Sequence, residues 1–137
     1  MTHRRQVYIV DDEVLIAKTL AQIFQESGYA TEYFTSPFAL LELVHAHPPD
    51  VLVTDCLMPG MTGVELASKV FAICPRCLMI LISGTDLSLI QTHVGEEPMP
   101  KFTFFSKPVQ VKQLLQVVEL SLRSSPSSND IDVGLVF

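Results

Sequence analysis

The sequence is poor in positive charge, cysteine and long apolar runs, and each shortage excludes a class of protein. Its 9 lysines and arginines face 15 acidic residues, and no basic cluster is longer than Arg4-Arg5. A duplex-binding surface needs many cations facing phosphates, so we expect no direct contact with nucleic acid. No stretch approaches the roughly 18 to 20 apolar residues that cross a bilayer, and no secretory signal begins the chain. We therefore expect a cytoplasmic protein without a membrane span.

The three cysteines, Cys56, Cys74 and Cys77, are too few to form a disulfide framework. A chain of 137 residues that is 48% hydrophobic can bury one substantial core without disulfides, so we expect reduced thiols. Cys74-Pro75-Arg76-Cys77 has the spacing of redox and zinc motifs, but no second ligand pair accompanies it. The pair also follows a predicted helix rather than beginning one, which argues against a redox function.

Five short runs with strand character alternate with segments of helical spacing. The runs are Val7–Val10, Ala30–Phe34, Val51–Thr54, Met79–Ile82 and Phe102–Phe105. Most are almost continuously apolar, which is typical of a parallel sheet covered by helices on both faces. Right-handed crossovers would then place the carboxyl ends of all strands along one edge.

Helix signals separate these strands. Thr62 and Glu65 form a capping-box pattern for a helix that ends near Ile73, and Gly28 ends the first helix. The final helix carries an apolar stripe of Val111, Leu114, Leu115, Val118 and Leu122. The segment from Thr85 to Lys101 supports at most a short helix over Asp86 to Val94. We expect one domain over residues 1–123 and a Ser-rich tail or linker over 124–137.

Polar residues follow four of the predicted strands. Asp11 and Asp12 follow the first strand, Asp55 the third, Ser83 the fourth and Lys107 the fifth. Ligands of open parallel sheets bind outside the carboxyl ends of the strands, so we expect these side chains to converge. Clustered carboxylates repel one another unless a cation compensates them, and a set of oxygen ligands favours Mg²⁺ over Zn²⁺.

Such a site suits phosphoryl transfer. A carboxylate beside the metal, here Asp55, can attack phosphorus and form an acyl phosphate. Transfer then depends mainly on alignment and on neutralising the charge of the phosphoryl oxygens. Lys107 can pair with one phosphoryl oxygen, and the Ser83 hydroxyl can donate to another.

The motifs at these strand ends carry a family resemblance. They are Val10-Asp11-Asp12-Glu13, Asp55 with Met58-Pro59-Gly60-Met61-Thr62-Gly63, Ser83-Gly84 and Lys107-Pro108. From about Gln6 to Arg123 the chain resembles the receiver domains of two-component response regulators. The resemblance implies a flavodoxin-like three-layer sandwich with a five-stranded parallel sheet in the order 2-1-3-4-5 and helices on both faces.

The resemblance also implies roles for individual residues. Asp55 would be the phospho-acceptor, supplied by a histidine kinase or a phosphotransfer protein. Asp11, Asp12 and Asp55, with the backbone carbonyl of Cys56, would bind Mg²⁺.

A second set of roles concerns the response to phosphorylation. Ser83 and Lys107 would contact the phosphoryl group, and Phe104 would turn inward as Ser83 moves. The surface of the short predicted helix, the fifth strand and the final helix would then change its affinity for a downstream protein or a missing output domain. A phosphorylation-dependent dimer is left open. The segment from Glu96 to Lys101 departs from the family pattern. This departure affects the predicted partner-facing surface and not the predicted phosphorylation chemistry.

Two other functions compete with this phosphorylation-dependent switch. A metal-dependent phosphatase that forms an aspartyl phosphate would carry its nucleophile after strand one, whereas Asp55 follows strand three. A constitutive interaction module would keep the fold but dock its partner without phosphorylation. On the leading interpretation the protein is not an enzyme beyond its own phosphorylation and dephosphorylation. Whether the chain is a single-domain regulator or the front of a longer protein stays open.

Overall fold

Five strands and four helices alternate in the described part of the chain. The computed structural model describes residues 4–84 and 101–123. The elements are β1 (Gln6–Val10), α1 (Val14–Glu26), β2 (Ala30–Phe34), α2 (Pro37–Val44), β3 (Val51–Asp55), α3 (Gly63–Ile73), β4 (Leu78–Ser83), β5 (Phe102–Ser106) and α4 (Val111–Arg123).

The strands form one parallel sheet in the order β2-β1-β3-β4-β5, as the family resemblance implied. The chain therefore moves outward from β1 to β2, then crosses back past β1 to β3. The reversal places the carboxyl ends of β1 and β3 side by side, with Val10 in register with Thr54. This is where ligands of open α/β sheets bind.

Two apolar layers cover the two faces of the sheet, so the predicted sandwich is confirmed. Successive strand residues point to opposite faces, and Ile9 and Val53 pack with α1 and α4 while Tyr8 and Leu52 pack with α2 and α3. Both faces of the central strands are buried, which explains why their sequences read as continuous apolar runs.

The helix boundaries follow the local signals. Thr62 and Glu65 form the predicted reciprocal cap: the Glu65 amide donates to Thr62 Oγ1 at 3.0 Å, and the Thr62 amide donates to Glu65 Oε1 at 2.9 Å. Gly28 adopts a φ of 103°, a conformation that glycine tolerates best and that lets the chain turn after α1. The predicted stripe of α4 is also confirmed, since Leu114 and Val118 are fully buried.

Four of the five strands are one or two residues longer than the predicted runs, and two of these extensions include site residues. Asp55 is the last residue of β3, and Ser83 is the last residue of β4. The sheet itself therefore fixes the backbone of both residues. The short helix predicted over Asp86 to Val94, most of the atypical segment from Glu96 onward and the tail 124–137 lie outside the described residues. Among the helices that the structure does describe, none has the length and hydropathy needed to cross a bilayer.

Candidate functional site

Three carboxylates meet at the carboxyl edge of the sheet. One oxygen from each of Asp11, Asp12 and Asp55 lies within 4.8 Å of the others. Asp11 and Asp55 are only 3% and 9% exposed, whereas Asp12 faces solvent. The predicted convergence of the three residues is therefore found, and it places two buried carboxylates next to one that water can reach.

Backbone amides orient the two buried carboxylates. Asp11 Oδ1 accepts a hydrogen bond from the Glu13 amide at 2.9 Å, just before α1 begins. Asp55 Oδ1 accepts one from the Cys56 amide, also at 2.9 Å. Each carboxylate is thus held by its own loop and keeps an oxygen for another partner.

Lys107 reaches both carboxylates from the loop after β5. Its Nζ lies 3.3 Å from Asp55 Oδ1 and 3.5 Å from Asp11 Oδ2. Partial burial disfavours the ammonium, but Asp55 and Asp11 outweigh that effect and raise the pKa of Lys107. The Lys107 amide donates to the Ser83 carbonyl at 2.9 Å, which holds the Lys107 backbone beside the carboxyl end of β4.

One lysine does not neutralise the site. Burial and the neighbouring Asp11 raise the pKa of Asp55, although Lys107 and the Cys56 amide act in the opposite direction. The carboxylate therefore carries an unfavourable charge in this arrangement. A hard divalent cation would relieve the repulsion, and the three oxygen donors fit Mg²⁺ by their chemistry.

Ser83 is buried at the end of β4, and its side chain interacts with the residue that follows Asp55. The side chain is 4% exposed, and it hydrogen-bonds the Cys56 thiol. Burial raises the pKa of that thiol to about 11, so Cys56 is a neutral neighbour at physiological pH. A hydroxyl can donate one hydrogen bond and also accept, so Ser83 can offer its hydrogen to a phosphoryl oxygen on Asp55.

The Cys56 carbonyl, the fourth predicted ligand, already has a hydrogen-bond donor in this structure. It accepts a hydrogen bond from the Gly63 amide at 2.8 Å, at the first turn of α3. A carbonyl has a second lone pair, so its metal-binding role stays a prediction. As metal ligands, the three carboxylates have stronger support from the geometry than the Cys56 carbonyl oxygen has.

Gly63 was not predicted as a site residue, yet the site depends on it. A Cβ at this position would lie 2.2 Å from the Asp55 carbonyl oxygen and 2.9 Å from a methyl group of Leu81. Only glycine lets α3 begin so close to the end of β3. The position of Gly63 in the motif after Asp55 was visible in the sequence, but its steric reason requires the folded chain.

Phe104 is the residue that the family resemblance predicts to turn inward, and this role stays a prediction. It is half-buried on β5 and packs against the small cluster of Cys56, Val64 and Leu81. Its ring centroid lies 5.7 Å from that of Phe102. Phe104 packs against the cluster that contains the residue after Asp55, and Ser83 interacts with the thiol of that same residue.

Comparison with known families assigns the chain to one class. The profile of the response regulator receiver domain matches residues 7–119. The chain therefore belongs to the family of response regulator receiver domains. The predicted family and fold are confirmed, and neither competing function is favoured.

Curated relatives agree with this assignment. Sporulation initiation phosphotransferase F of Bacillus subtilis is 27% identical over 123 residues, which cover 88% of this chain and 97% of that protein. The transcriptional regulatory protein CreB of Escherichia coli is 27% identical over 128 residues, which cover 90% of this chain and 56% of the relative. The chain thus spans about half the length of CreB but nearly all of the Bacillus protein.

Solved structures show the same fold. A CheY-like receiver domain from Methanospirillum hungatei JF-1 superposes with a TM-score of 0.75 at 24% identity, over 88% of this chain and 94% of that chain. The receiver domain of the hybrid histidine kinase CckA superposes with a TM-score of 0.70 at 23% identity, over 86% of this chain and 99% of that chain.

Proposed function

We propose that this receiver domain is a phosphorylation-dependent switch in which Asp55 accepts a phosphoryl group. One observation carries the proposal: Asp55 lies at the end of a central strand, repelled by Asp11 and only 3.3 Å from Lys107. A structural aspartate would have its charge balanced by its partners. Here three carboxylates face one lysine, so the site favours binding of a further cation. Phosphoryl transfer in this family would use such a cation.

Asp11, Asp12 and Asp55 would hold Mg²⁺. When bound, the ion supplies positive charge for the phosphoryl oxygens during transfer. The exposed position of Asp12 suits an ion that keeps several of its waters. Asp11 Oδ1 is held by the Glu13 amide, and Oδ2, which lies 3.5 Å from Lys107 Nζ, faces the shared site.

Asp55, Lys107 and Ser83 would each have a separate role in the transfer. An oxygen of Asp55 attacks phosphorus, the bond from phosphorus to the donor breaks, and the donor keeps that electron pair. Lys107 then exchanges its contact with the Asp55 carboxylate for one with a phosphoryl oxygen. Ser83 would leave the Cys56 thiol and donate to a second phosphoryl oxygen. We propose that the domain catalyses no other reaction than its own phosphorylation and dephosphorylation.

The rearrangement of Ser83 would carry the signal outward. Phe104 packs against the cluster that contains Cys56, and in this proposal it turns inward when Ser83 moves. Such a contact biases two conformations by its differential interaction, typically about 1 to 3 kcal/mol. We expect a population shift in the β5 surface rather than a new fold.

The phosphoryl donor would be a histidine kinase or a phosphotransfer protein, and an apolar groove beside the site supports this partner. The groove has a volume of about 600 Å³ and extends from Lys107 and Pro108 to Leu20 and Ile23 of α1. Leu15, which also lines it, is 72% exposed at the start of α1. A helix that carries a phosphohistidine could bury these side chains while its imidazole points at Asp55. A donor of this kind also supports a cytoplasmic location, with a downstream protein or an output domain as the recipient.

Beryllofluoride tests the switch because, with Mg²⁺, it mimics a phosphoryl group on a carboxylate. Amide NMR spectra of the wild-type chain should change around Asp55, Ser83 and Phe104 when both are added. The Asp55→Asn variant should show no beryllofluoride response. Asp50→Asn is the matched control, since Asp50 lies just before the other end of the same strand, and it should respond as the wild type does.

The outcomes separate the competing functions. Changes confined to the immediate surroundings of Asp55, with none at Phe104, would support a constitutive interaction module. A wild-type spectrum that does not respond, or an Asp55→Asn variant that responds fully, would contradict the proposed acceptor.

A further inference from the structure

Cys74 and Cys77 are brought together by a tight turn between α3 and β4. The Cys77 amide donates to the Cys74 carbonyl at 3.1 Å, with Pro75 and Arg76 exposed between them. This i to i+3 hydrogen bond defines a β-turn, in which the outer Cα atoms are less than about 7 Å apart. A disulfide needs Cα atoms about 4.4 to 6.8 Å apart. The backbone therefore already has the spacing that a Cys74–Cys77 disulfide requires.

Each thiol affects the pKa of the other, and the Cys77 thiol also donates to the Leu78 carbonyl at 3.6 Å. A hydrogen bond from Cys77 lowers the pKa of the Cys74 thiol, although burial and Asp50 act against this effect. The same hydrogen bond, together with burial, raises the pKa of the Cys77 thiol. The side chains are reduced and free in this structure. Cys74 is therefore the better nucleophile, and Cys77 holds the proton.

Cys74, the better nucleophile, is also the more accessible of the two residues. Cys74, just after α3, is half-buried, whereas Cys77 is 8% exposed and belongs to the core layer under α2 and α3. An external reagent can reach Cys74 but not Cys77. A first cysteine that is accessible and a second that is buried beside it is the arrangement of an attacking and a resolving thiol.

We propose that Cys74 and Cys77 form a redox-active dithiol, which a small disulfide of the glutathione class oxidises to an intramolecular disulfide. The Cys74 thiolate attacks one sulfur of glutathione disulfide, breaks its S–S bond and releases one glutathione thiolate. Cys77 then loses its proton to water and attacks the Cys74 sulfur, which releases the second glutathione. The protein is oxidised by two electrons, and glutathione disulfide is reduced to two thiols.

The position of the pair after a helix argued against redox function, because no helix N-terminus stabilises a thiolate there. The hydrogen bond between the thiols provides the stabilisation instead. The pair lies at the amino end of β4, while Asp55 lies at the carboxyl end of the neighbouring β3. Its oxidation is therefore separate from the proposed phosphorylation.

Intact-mass measurement of the full chain after anaerobic incubation with glutathione disulfide tests this proposal. The wild type should lose two hydrogens and keep no glutathione, and peptide mapping should find Cys74 joined to Cys77. The Cys77→Ser variant should stop at one glutathione adduct on Cys74. The Cys74→Ser variant should react at least about tenfold more slowly, since Cys77 is buried and protonated. Cys56, whose thiol is buried, should stay unmodified in every sample.

Several results would overturn the dithiol. They are no reaction of the folded wild type, a lasting glutathione adduct on the wild type, equal reaction of the two serine variants, or a disulfide that includes Cys56. Circular dichroism checks the fold of each variant, and Cys77→Ala provides a second variant without a resolving thiol if Cys77→Ser does not fold. Asp55→Asn should form the disulfide as the wild type does, so a failure of phosphorylation and a failure of oxidation are read independently.

Discussion

Asp50 lies just before β3 and Asp55 is its last residue, and the two carboxylates have different electrostatic surroundings. Asp50, just before the strand, accepts a hydrogen bond from the Gln6 amide at 2.7 Å and has Arg5 at 3.9 Å. Asp55, at the end of the strand, receives one backbone amide but faces the carboxylate of Asp11. Asp50 joins the start of β1 to β3, whereas Asp55 carries a charge that the fold does not balance.

The difference shows how a carboxylate that stabilises the fold differs from one that takes part in a reaction. Both residues border an apolar strand, and composition does not distinguish them. At the amino edge the carboxylate is half-exposed and its partners are a backbone amide and a basic side chain. At the carboxyl edge, burial and the like charge of Asp11 raise the pKa of Asp55. Carboxylates with perturbed pKa values are common at functional sites. The following predictions test this contrast, starting with the largest effect.

Gly63→Ala should damage the carboxyl edge most. The new Cβ would lie 2.2 Å from the Asp55 carbonyl oxygen, a backbone atom that cannot move without displacing β3 or α3. We expect the free energy of unfolding to fall by about 3 kcal/mol or more. Urea unfolding measures the loss. Gly28→Ala provides a comparison, because that glycine has an unusual φ but no atom near its missing Cβ. A Gly63→Ala protein as stable as the wild type would contradict the close approach.

Lys107→Gln should destabilise the metal-free protein and favour metal binding. Without the ammonium, Asp11 and Asp55 repel each other uncompensated, so we expect a loss of about 1 to 2 kcal/mol. Mg²⁺ should restore more stability to this variant than to the wild type, because the competing cation is gone. Thermal unfolding with and without Mg²⁺ gives both values. Equal stabilisation of the two proteins by Mg²⁺ would show that Lys107 does not share the metal's carboxylates.

Asp55→Asn should stabilise the metal-free protein at neutral pH by about 1 kcal/mol. The folded state raises the pKa of Asp55, so protonation of this residue favours folding and its ionisation opposes it. The advantage of the variant should therefore be complete at neutral pH, shrink as the pH falls through the folded pKa and vanish once the carboxyl is protonated in both states. Urea unfolding across acidic to neutral pH measures it. A variant that is less stable than the wild type at neutral pH would reverse the assigned electrostatics.

Asp50→Asn should have the smallest effect. The amide oxygen can still accept from the Gln6 amide, and the exposed pair with Arg5 contributes little. We expect a loss below about 0.5 kcal/mol, with no change in the response to Mg²⁺. The same unfolding series measures it beside Asp55→Asn. A large Mg²⁺ effect of this substitution would mean that the two ends of β3 are not independent.

Much of the fold could be read from the sequence because its signals are local. Apolar runs marked the strands, and the Thr62–Glu65 cap marked the start of α3. The order of the strands came from the family resemblance, since the alternation of strands and helices alone leaves several orders open. Asp11, Asp55, Ser83 and Lys107 were found as polar residues at strand ends.

Other features depend on residues that only the fold brings together. Neither the clash that requires glycine at position 63 nor the bond between Ser83 and the Cys56 thiol has a local signal. The opposite roles of Asp50 and Asp55 are hidden for the same reason, because each depends on neighbours contributed by β1.

Phosphorylation by acetyl phosphate with Mg²⁺ tests the central claim most directly. Intact-mass analysis should show one added phosphoryl group on the wild type and on Asp50→Asn, and none on Asp55→Asn or on the wild type without Mg²⁺. Peptide mapping should place the acyl phosphate on Asp55. Phosphorylation of Asp55→Asn to the wild-type level, or none on the folded wild-type protein with Mg²⁺ present, would contradict the account.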